Sequence, residues 1–175
     1  GEELGLWEVQ DIPDDLRQDP IWRRTHGADP GRDGSRVPLP WSGTEPPFGF
    51  SPPGADGVRE PWLPQPKEWR DLTVQAESAS DDSMLRLYRD ALRIRLVSAA
   101  LGDGPMTWLP VADGGVLAFD RVPVAPGGSA NGVRCVANLS AGPVELPTHA
   151  AVLLTSGPLT GDGLLPPDTT AWLSV

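Results

Sequence analysis

Gly31-Arg32-Asp33-Gly34-Ser35-Arg36-Val37-Pro38-Leu39-Pro40-Trp41 is the run of sequence on which the reading of the chain turns. Two guanidinium groups four residues apart flank a carboxylate, and the run ends in a rigid Pro-Leu-Pro-Trp. An arginine fork holds a carboxylate in a fixed bidentate geometry. One arginine could donate to a sugar hydroxyl while the other braces the loop. On chemistry alone a surface turn with local ion pairs is the more ordinary reading, because such pairs carry little specificity.

Around this run, residues 1–80 are dense in Pro, Gly, Asp and Trp and show no sustained period of 3.6 or 2. Long irregular stretches in compact proteins are usually functional or disordered. Five of the seven tryptophans lie here: Trp7, Trp22, Trp41, Trp62 and Trp69. Disordered segments are poor in aromatics, so the stretch reads as folded and packed against something that is not obvious in this sequence. Trp41 could stack on a sugar face, but a tryptophan after Pro-Leu-Pro is more often the core anchor of its loop, and that is the expectation here.

A helix is expected next. Asp81-Asp82-Ser83 offers N-cap oxygens and Gly102 a C-terminal stop. Leu85, Tyr88, Leu92, Leu96 and Ala99 recur at helical steps as one buried stripe. From Pro105 onward the pattern changes to short runs with turn residues between them: 106–109, 116–122, 133–138, 144–146, 151–155 and 171–175. That rhythm predicts an antiparallel sandwich, with Asp113-Gly114-Gly115 and Asn131-Gly132 as hairpin turns. The composition shift near Gly102–Gly104 marks the domain boundary, giving domains 1–102 and 103–175.

The formal charge of −10, from 24 acidic and 14 basic side chains, argues against a nucleic-acid binder. Cys135 is the single cysteine, so the chain builds no internal disulfide and no all-cysteine metal site. No apolar run approaches the ~20 residues of a membrane span, and no signal peptide is visible at the start. A soluble, cytoplasmic protein with no membrane partner is expected. His26 and His149 are isolated, the Gly114-Gly115 and Gly127-Gly128 pairs lack the Lys-Ser/Thr ending of a phosphate loop, and Asn138-Leu139-Ser140 fits the glycosylation triplet by chance.

Glu2-Glu3-Leu4-Gly5-Leu6, then Gln18-Asp19-Pro20, then the Gly31–Trp41 run resemble, in letters, order and spacing, the end of the eighth barrel strand and the following loop of glycoside hydrolase family 13. Glu60-Pro61-Trp62-Leu63 and Leu87-Tyr88-Arg89 are similar to that family's run into its last barrel helix. Val136-Ala137-Asn138-Leu139-Ser140 is similar to a strand of its C-terminal sandwich. Many relatives carry Cys where this chain has Ser35. The resemblance is to α-glucosidases and oligo-1,6-glucosidases of the α-amylase superfamily, of the actinobacterial type.

The resemblance implies a mixed fold: the C-terminal end of a (β/α)8 barrel, with its last βα loop and helix, followed by an antiparallel β-sandwich domain. It implies a retaining mechanism by two carboxylates roughly 5–5.5 Å apart. By resemblance those carboxylates belong to barrel strands ahead of Gly1, so no catalytic residue is assigned in this chain, and the chain alone is expected to be inactive. Glu2 and Glu3 are expected to alternate on a strand end, at most one facing the pocket. The resemblance makes Arg32 the contact to the non-reducing-end glucose in the −1 subsite, paired with an aspartate outside this chain. Arg36 braces the loop or reaches toward the aglycone, and Asp19 lines the +1 side. The partners implied are an oligosaccharide or α-glucoside substrate and the N-terminal part of the same barrel. No cofactor and no metal are implied. Rival readings are a transglycosylating sibling, such as a sucrose isomerase or trehalose-forming enzyme, and a non-catalytic carbohydrate-binding or partner-binding protein. For a sugar platform in the second domain, only Trp108, Phe119 and Trp172 are available.

Overall fold

The computed structural model of the chain describes residues 1–51, 61–111, 114–124 and 132–175. Glu60, the hairpin residues Asp113 and Asn131, and the Gly127-Gly128 pair lie outside the described residues. The chain divides into two compact units, Gly1–Tyr88 and Arg89–Val175.

The first unit is mostly irregular chain pinned by short helices: α1 at Pro20–Arg24 and α2 at Val74–Ala79, with single 3-10 turns at Glu2–Leu4, Asp14–Leu16, Asp33–Ser35 and a longer one at Lys67–Leu72. Proline and capping chemistry explain where the helices begin. Asp19 caps α1 through Ile21 N with Pro20 at the first helical position, and Thr73 caps α2 through Ala76 N. The expected packing partner lies partly within the unit itself. Val9, Ile12, Val37, Phe48, Leu63 and Trp69 form a buried cluster, with Leu6, Leu16 and Leu72 packed on it. Of the five tryptophans Trp69 alone is fully buried, while Trp7, Trp41 and Trp62 stay about half exposed. The expectation that Trp41 anchors the loop is corrected: its backbone is held by Phe48 O and Gln75 N, and the buried aromatic is Phe48. Glu2 and Glu3 lie in a 3-10 turn closed by Gly5 at φ 63, so strand alternation does not separate them.

Helix α3, Met84–Val97, begins where the sequence places it. Ser83 Oγ caps Arg86 N at 3.1 Å, and the buried Glu77 carboxylate accepts Leu85 N at 2.9 Å. The helix ends at Val97, and a 3-10 turn, Ala99–Leu101, runs on to Gly102. The expected buried stripe is corrected. Leu85 is buried, but Leu92 is 60% and Leu96 86% exposed, because no apolar layer among the described residues covers that part of the helix.

The second unit is a five-stranded antiparallel sheet in the order β1-β2-β3-β5-β4, built from Met106–Trp108, Val116–Arg121, Val133–Asn138, Ala151–Thr155 and Thr169–Ser174. β5 lies between β3 and β4, so the chain passes from β3 to the edge strand β4 and then returns as β5 to fill the gap. Alternation sends Val116, Ala118, Val136, Ala171 and Leu173 to one face, where they bury with Leu165 and the partly buried Leu109, Val144, Leu146 and Leu159. The expected strand at 144–146 is a single bridge, Val144 to Leu165, lying over this core as the second layer among the described residues.

Asn138 closes the end of β3. It is fully buried, donates from Nδ2 to Gly142 O and Leu165 O at 2.9 Å each, and accepts Ser140 N and Oγ at 3.0 and 2.7 Å. The Asn-Leu-Ser triplet is thus a structural lock.

Candidate functional site

The Gly31–Trp41 run folds as a tight turn because both of its first glycines are required. Gly31 adopts φ +70, and a Cβ there would meet Asp19 Cβ at 2.7 Å and Ile21 Cγ2 at 2.9 Å. Gly34 packs on the Val9 backbone, where its carbonyl accepts Val9 N at 3.1 Å, and a Cβ would collide with Val9 O. Between them the chain turns through Asp33–Ser35, which places Arg32 and Arg36 on either side of Asp33.

Asp33 is buried and points back toward α1. Its Oδ2 accepts Gln18 N at 2.8 Å and Asp19 N at 2.9 Å, and its Oδ1 lies 3.4 Å from a terminal nitrogen of Arg36. Burial is the largest single influence on Asp33 and pushes its pKa up. The two amides and the Arg36 charge together outweigh it and hold the carboxyl below its ordinary value. Asp19, also buried, projects from the backbone that Asp33 holds. Its Oδ1 accepts Ile21 N at 3.1 Å. Its Oδ2 meets Arg32 N and Nε at 3.3 Å each and Arg36 at 3.1 Å. The Ile21 amide is the main cause of its lowered pKa; burial opposes it, and the Arg32 amide, the Arg32 side chain and the Arg36 charge add to the lowering.

The structure thus brings together Arg32, Arg36 and Asp19, the three residues singled out in the sequence. Two buried carboxylates held below their ordinary pKa are poor proton donors near neutral pH. What the cluster offers is cationic. The Arg32 side chain is 75% exposed, and among the described residues its two terminal nitrogens have no acceptor while Nε is tied to Asp19. Arg36, 44% exposed, bridges both carboxylates.

Arg17 was not singled out in the sequence. It is buried, donates to Ile12 O, Pro30 O and Gln10 O at 3.1, 3.2 and 2.8 Å, and stacks 4.7 Å from the Trp22 ring. It fixes Pro30, the residue before the turn. Its partners are backbone carbonyls, which leave no mark in a sequence, although its place two residues before Asp19 could have drawn notice.

A groove of about 670 Å³ lined by Trp7, Gln10, Asp11, Gln65 and Glu68 shares no residue with the arginine cluster. Among the described residues no group of three or more His, Cys, Asp or Glu could hold a metal, and no helix is long and apolar enough to cross a membrane.

No curated protein matches the chain. Among solved structures it is similar to the α-glucosyl transfer enzyme XgtA, at 29% identity and a TM-score of 0.72, over 99% of this chain and 31% of that one. It is also similar in fold to the trehalose-6-phosphate hydrolase TreA of Bacillus licheniformis, at 19% identity and a TM-score of 0.71, over 99% of this chain and 34% of that one. A variant of the trehalulose synthase MutB in complex with sucrose matches at 21% identity and a TM-score of 0.70, again over 99% and 34%. The chain therefore spans about a third of the length of these structures. Residues 112–172 match a family described as a domain of unknown function, DUF3459. Residues 1–104, more than half of the chain, match the alpha-amylase catalytic domain, and the chain belongs to the alpha-amylase family.

Proposed function

We propose that this chain is the C-terminal portion of a retaining α-glucosidase that releases terminal α-linked glucose from oligosaccharides, with its catalytic carboxylates on the part of the barrel that precedes Gly1. The observation that carries this reading is the held but unspent Arg32: Nε is anchored on Asp19, the side chain is 75% exposed, and both terminal nitrogens lack an acceptor among the described residues. A guanidinium fixed in this way recognises neutral sugar hydroxyls, or a carboxylate that itself binds sugar, in one orientation. In this reading Arg32 reaches the non-reducing-end glucose in the −1 subsite. Arg36 braces the loop toward the aglycone, and Asp19 anchors both arginines from the +1 side. The domain division at 102/103 and the cytoplasmic location belong to the same proposal.

The test is hydrolysis of p-nitrophenyl α-glucoside, maltose and isomaltose by the longer protein, beside Arg32→Ala with its fold verified. Loss of a charge-assisted hydrogen bond worth about 1.5–3 kcal/mol lowers kcat/KM roughly 10- to 100-fold. A second reading, glucosyl transfer, is favoured by the α-glucosyl transfer enzyme, whose identity exceeds those of the hydrolase and synthase structures named above. Conversion of sucrose or maltose to an isomeric disaccharide with little free glucose would select it.

A further inference from the structure

The groove of about 670 Å³ in the first unit takes one wall from residues 7–11 and the other from the Pro64-Gln65-Pro66 stretch with Glu68. Small-molecule sites usually measure about 300–1,000 Å³. Both walls are tied to the Gly31–Trp41 run or to the residue before it. Val9 N donates to Gly34 O at 3.1 Å, and Gln65 Nε2 donates to Pro38 O at 2.9 Å. Arg17 donates to Gln10 O at 2.8 Å and to Pro30 O at 3.2 Å. Trp7 rests edge to face on the buried Trp69, with centroids 6.1 Å apart, and is 47% exposed. The walls are thus set before any ligand arrives.

What this groove leaves unspent is mostly acceptors. Gln65 is 6% exposed; its amide nitrogen is committed to Pro38, while its Oε1 has no hydrogen-bond partner among the described residues. A buried carbonyl oxygen calls for a donor, and the described chain supplies none. Glu8, Asp11 and Glu68 are exposed and form no ion pair among the described residues, and no Lys, Arg or His is among the described residues that line the groove. A neutral sugar fits this inventory poorly. Each hydroxyl brings an acceptor with its donor, and the free side-chain donors here are only those of Gln10 and Trp7. An ammonium is all donor. Three like charges attract it, and an indole face favours both a cation and the methylene groups beside it.

We infer that the groove is a binding site for a linear organic polyammonium, a ligand of the polyamine class. Glu8, Asp11 and Glu68 pair with its nitrogens, Gln65 Oε1 accepts from one of them, and Trp7 carries the chain between. A single ammonium would leave two of the three carboxylates unanswered, which selects a ligand with several charges over a simple amine. The three ion pairs are exposed, so binding is weak and salt-sensitive, and its selectivity comes from Trp7 and Gln65. The inference does not depend on which glycoside the longer protein acts on.

The test is calorimetric titration of the longer protein with spermidine at low ionic strength, beside a triple variant, Glu8→Gln with Asp11→Asn and Glu68→Gln, whose fold is verified by circular dichroism. The parent should bind spermidine, and the triple variant should bind it at least about tenfold more weakly, because three ion pairs are removed together. Trp7→Leu should weaken binding about threefold or more, and Trp7→Phe should restore part of the loss, since a ring and not bulk attracts the cation. Absence of spermidine binding, or binding that the triple variant retains in full, overturns the inference. Equal affinity in the parent and Trp7→Leu reduces the groove to a diffuse acidic surface and overturns it too. Maltotriose that binds the parent and is lost in the triple variant, with spermidine unable to displace it, makes the groove a sugar site and also overturns it.

Discussion

Asp33 accepts the backbone amide of Asp19 at 2.9 Å, so one buried carboxylate fixes the peptide from which the second projects. Because Asp19 in turn holds Arg32 and Arg36, the direction of both guanidiniums is set by a residue that touches only one of them. Asp33→Ala should destabilise the first unit by about 3 kcal/mol, since it strands the buried Asp19 amide and the part-buried Gln18 amide and leaves Arg36 with Asp19 alone. Asp33→Asn should recover part of that loss but present an amide nitrogen either to Arg36 or to the two N–H donors. Amide exchange reads the difference directly: Gln18 and Asp19 should be protected in the parent chain and exchange freely in the alanine variant.

Acid should loosen the same unit first. Asp19 and Asp33 both have folded pKa values below their ordinary ones. Their contribution is therefore complete above the unfolded carboxylate value of about 3.9 and is lost as the pH falls through the lowered folded values. Urea unfolding followed from pH 6 down to pH 2 should show a flat midpoint above about pH 4.5 and a fall below it. In Asp33→Asn that fall should be shallower, and an unchanged slope would remove Asp33 as a contributor.

The sheet was legible in the sequence because short β-branched and aromatic runs between turn residues read as strands, and five of the six expected runs are strands. The sixth, at 144–146, fell short because Pro143 and Pro147 bracket it, and proline removes the donors a strand needs. The arginine turn was legible through its glycines and its charge spacing. Its depth was not: nothing local shows that Asp33 reaches back fifteen residues to Gln18, or that Arg17 binds three carbonyls. The helix stripe illustrates the opposite limit. The spacing of Leu92 and Leu96 marks an apolar row, but spacing alone does not bury it, and both side chains are exposed.

Gly34 should tolerate no side chain. The Val9 carbonyl occupies the place of its Cβ, and that carbonyl is backbone, so relief requires moving Val9 out of the buried cluster it shares with Ile12 and Val37. Gly34→Ala should cost more than about 2 kcal/mol, within the range of overpacking a buried site. Gly43→Ala is the matched control, since nothing lies within 4 Å of a Cβ there and only its positive φ is penalised. Thermal unfolding of the two variants should separate them clearly, with Gly34→Ala the less stable.

Asn138 should prove indispensable to the sheet. Asn138→Asp keeps the shape and the acceptor but cannot donate to Gly142 O or Leu165 O, and it brings a charge into a fully buried position. Asn138→Ala removes both donated bonds and the acceptor of Ser140 N, leaving Leu165 O with Val144 N alone and Gly142 O with Ser140 Oγ alone. Each substitution should cost about 3 kcal/mol or more, lowering the melting temperature of the second unit by roughly 10–20 °C. If the aspartate variant were as stable as the parent, the two donated hydrogen bonds would not be holding the end of β3.

Asp120 and Arg134 stand directly opposite each other on β2 and β3 and make a two-point contact, Nε to Oδ1 at 2.7 Å and NH2 to Oδ2 at 3.0 Å. Both side chains are about one-fifth exposed, and the Asp120 hydrogen bond is the main cause of the raised Arg134 pKa. A pair this sheltered is less screened than a surface bridge, and its planar geometry is specific to guanidinium. A double-mutant cycle with Asp120→Ala and Arg134→Ala should return a coupling of about 1–3 kcal/mol that 1 M salt reduces only in part. Arg134→Lys should behave more like the alanine variant than like the parent, because a single ammonium cannot satisfy both carboxylate oxygens and also reach Thr148 O. A coupling near zero would mean that desolvation of the two charges cancels their attraction, and the pair would then serve register rather than stability.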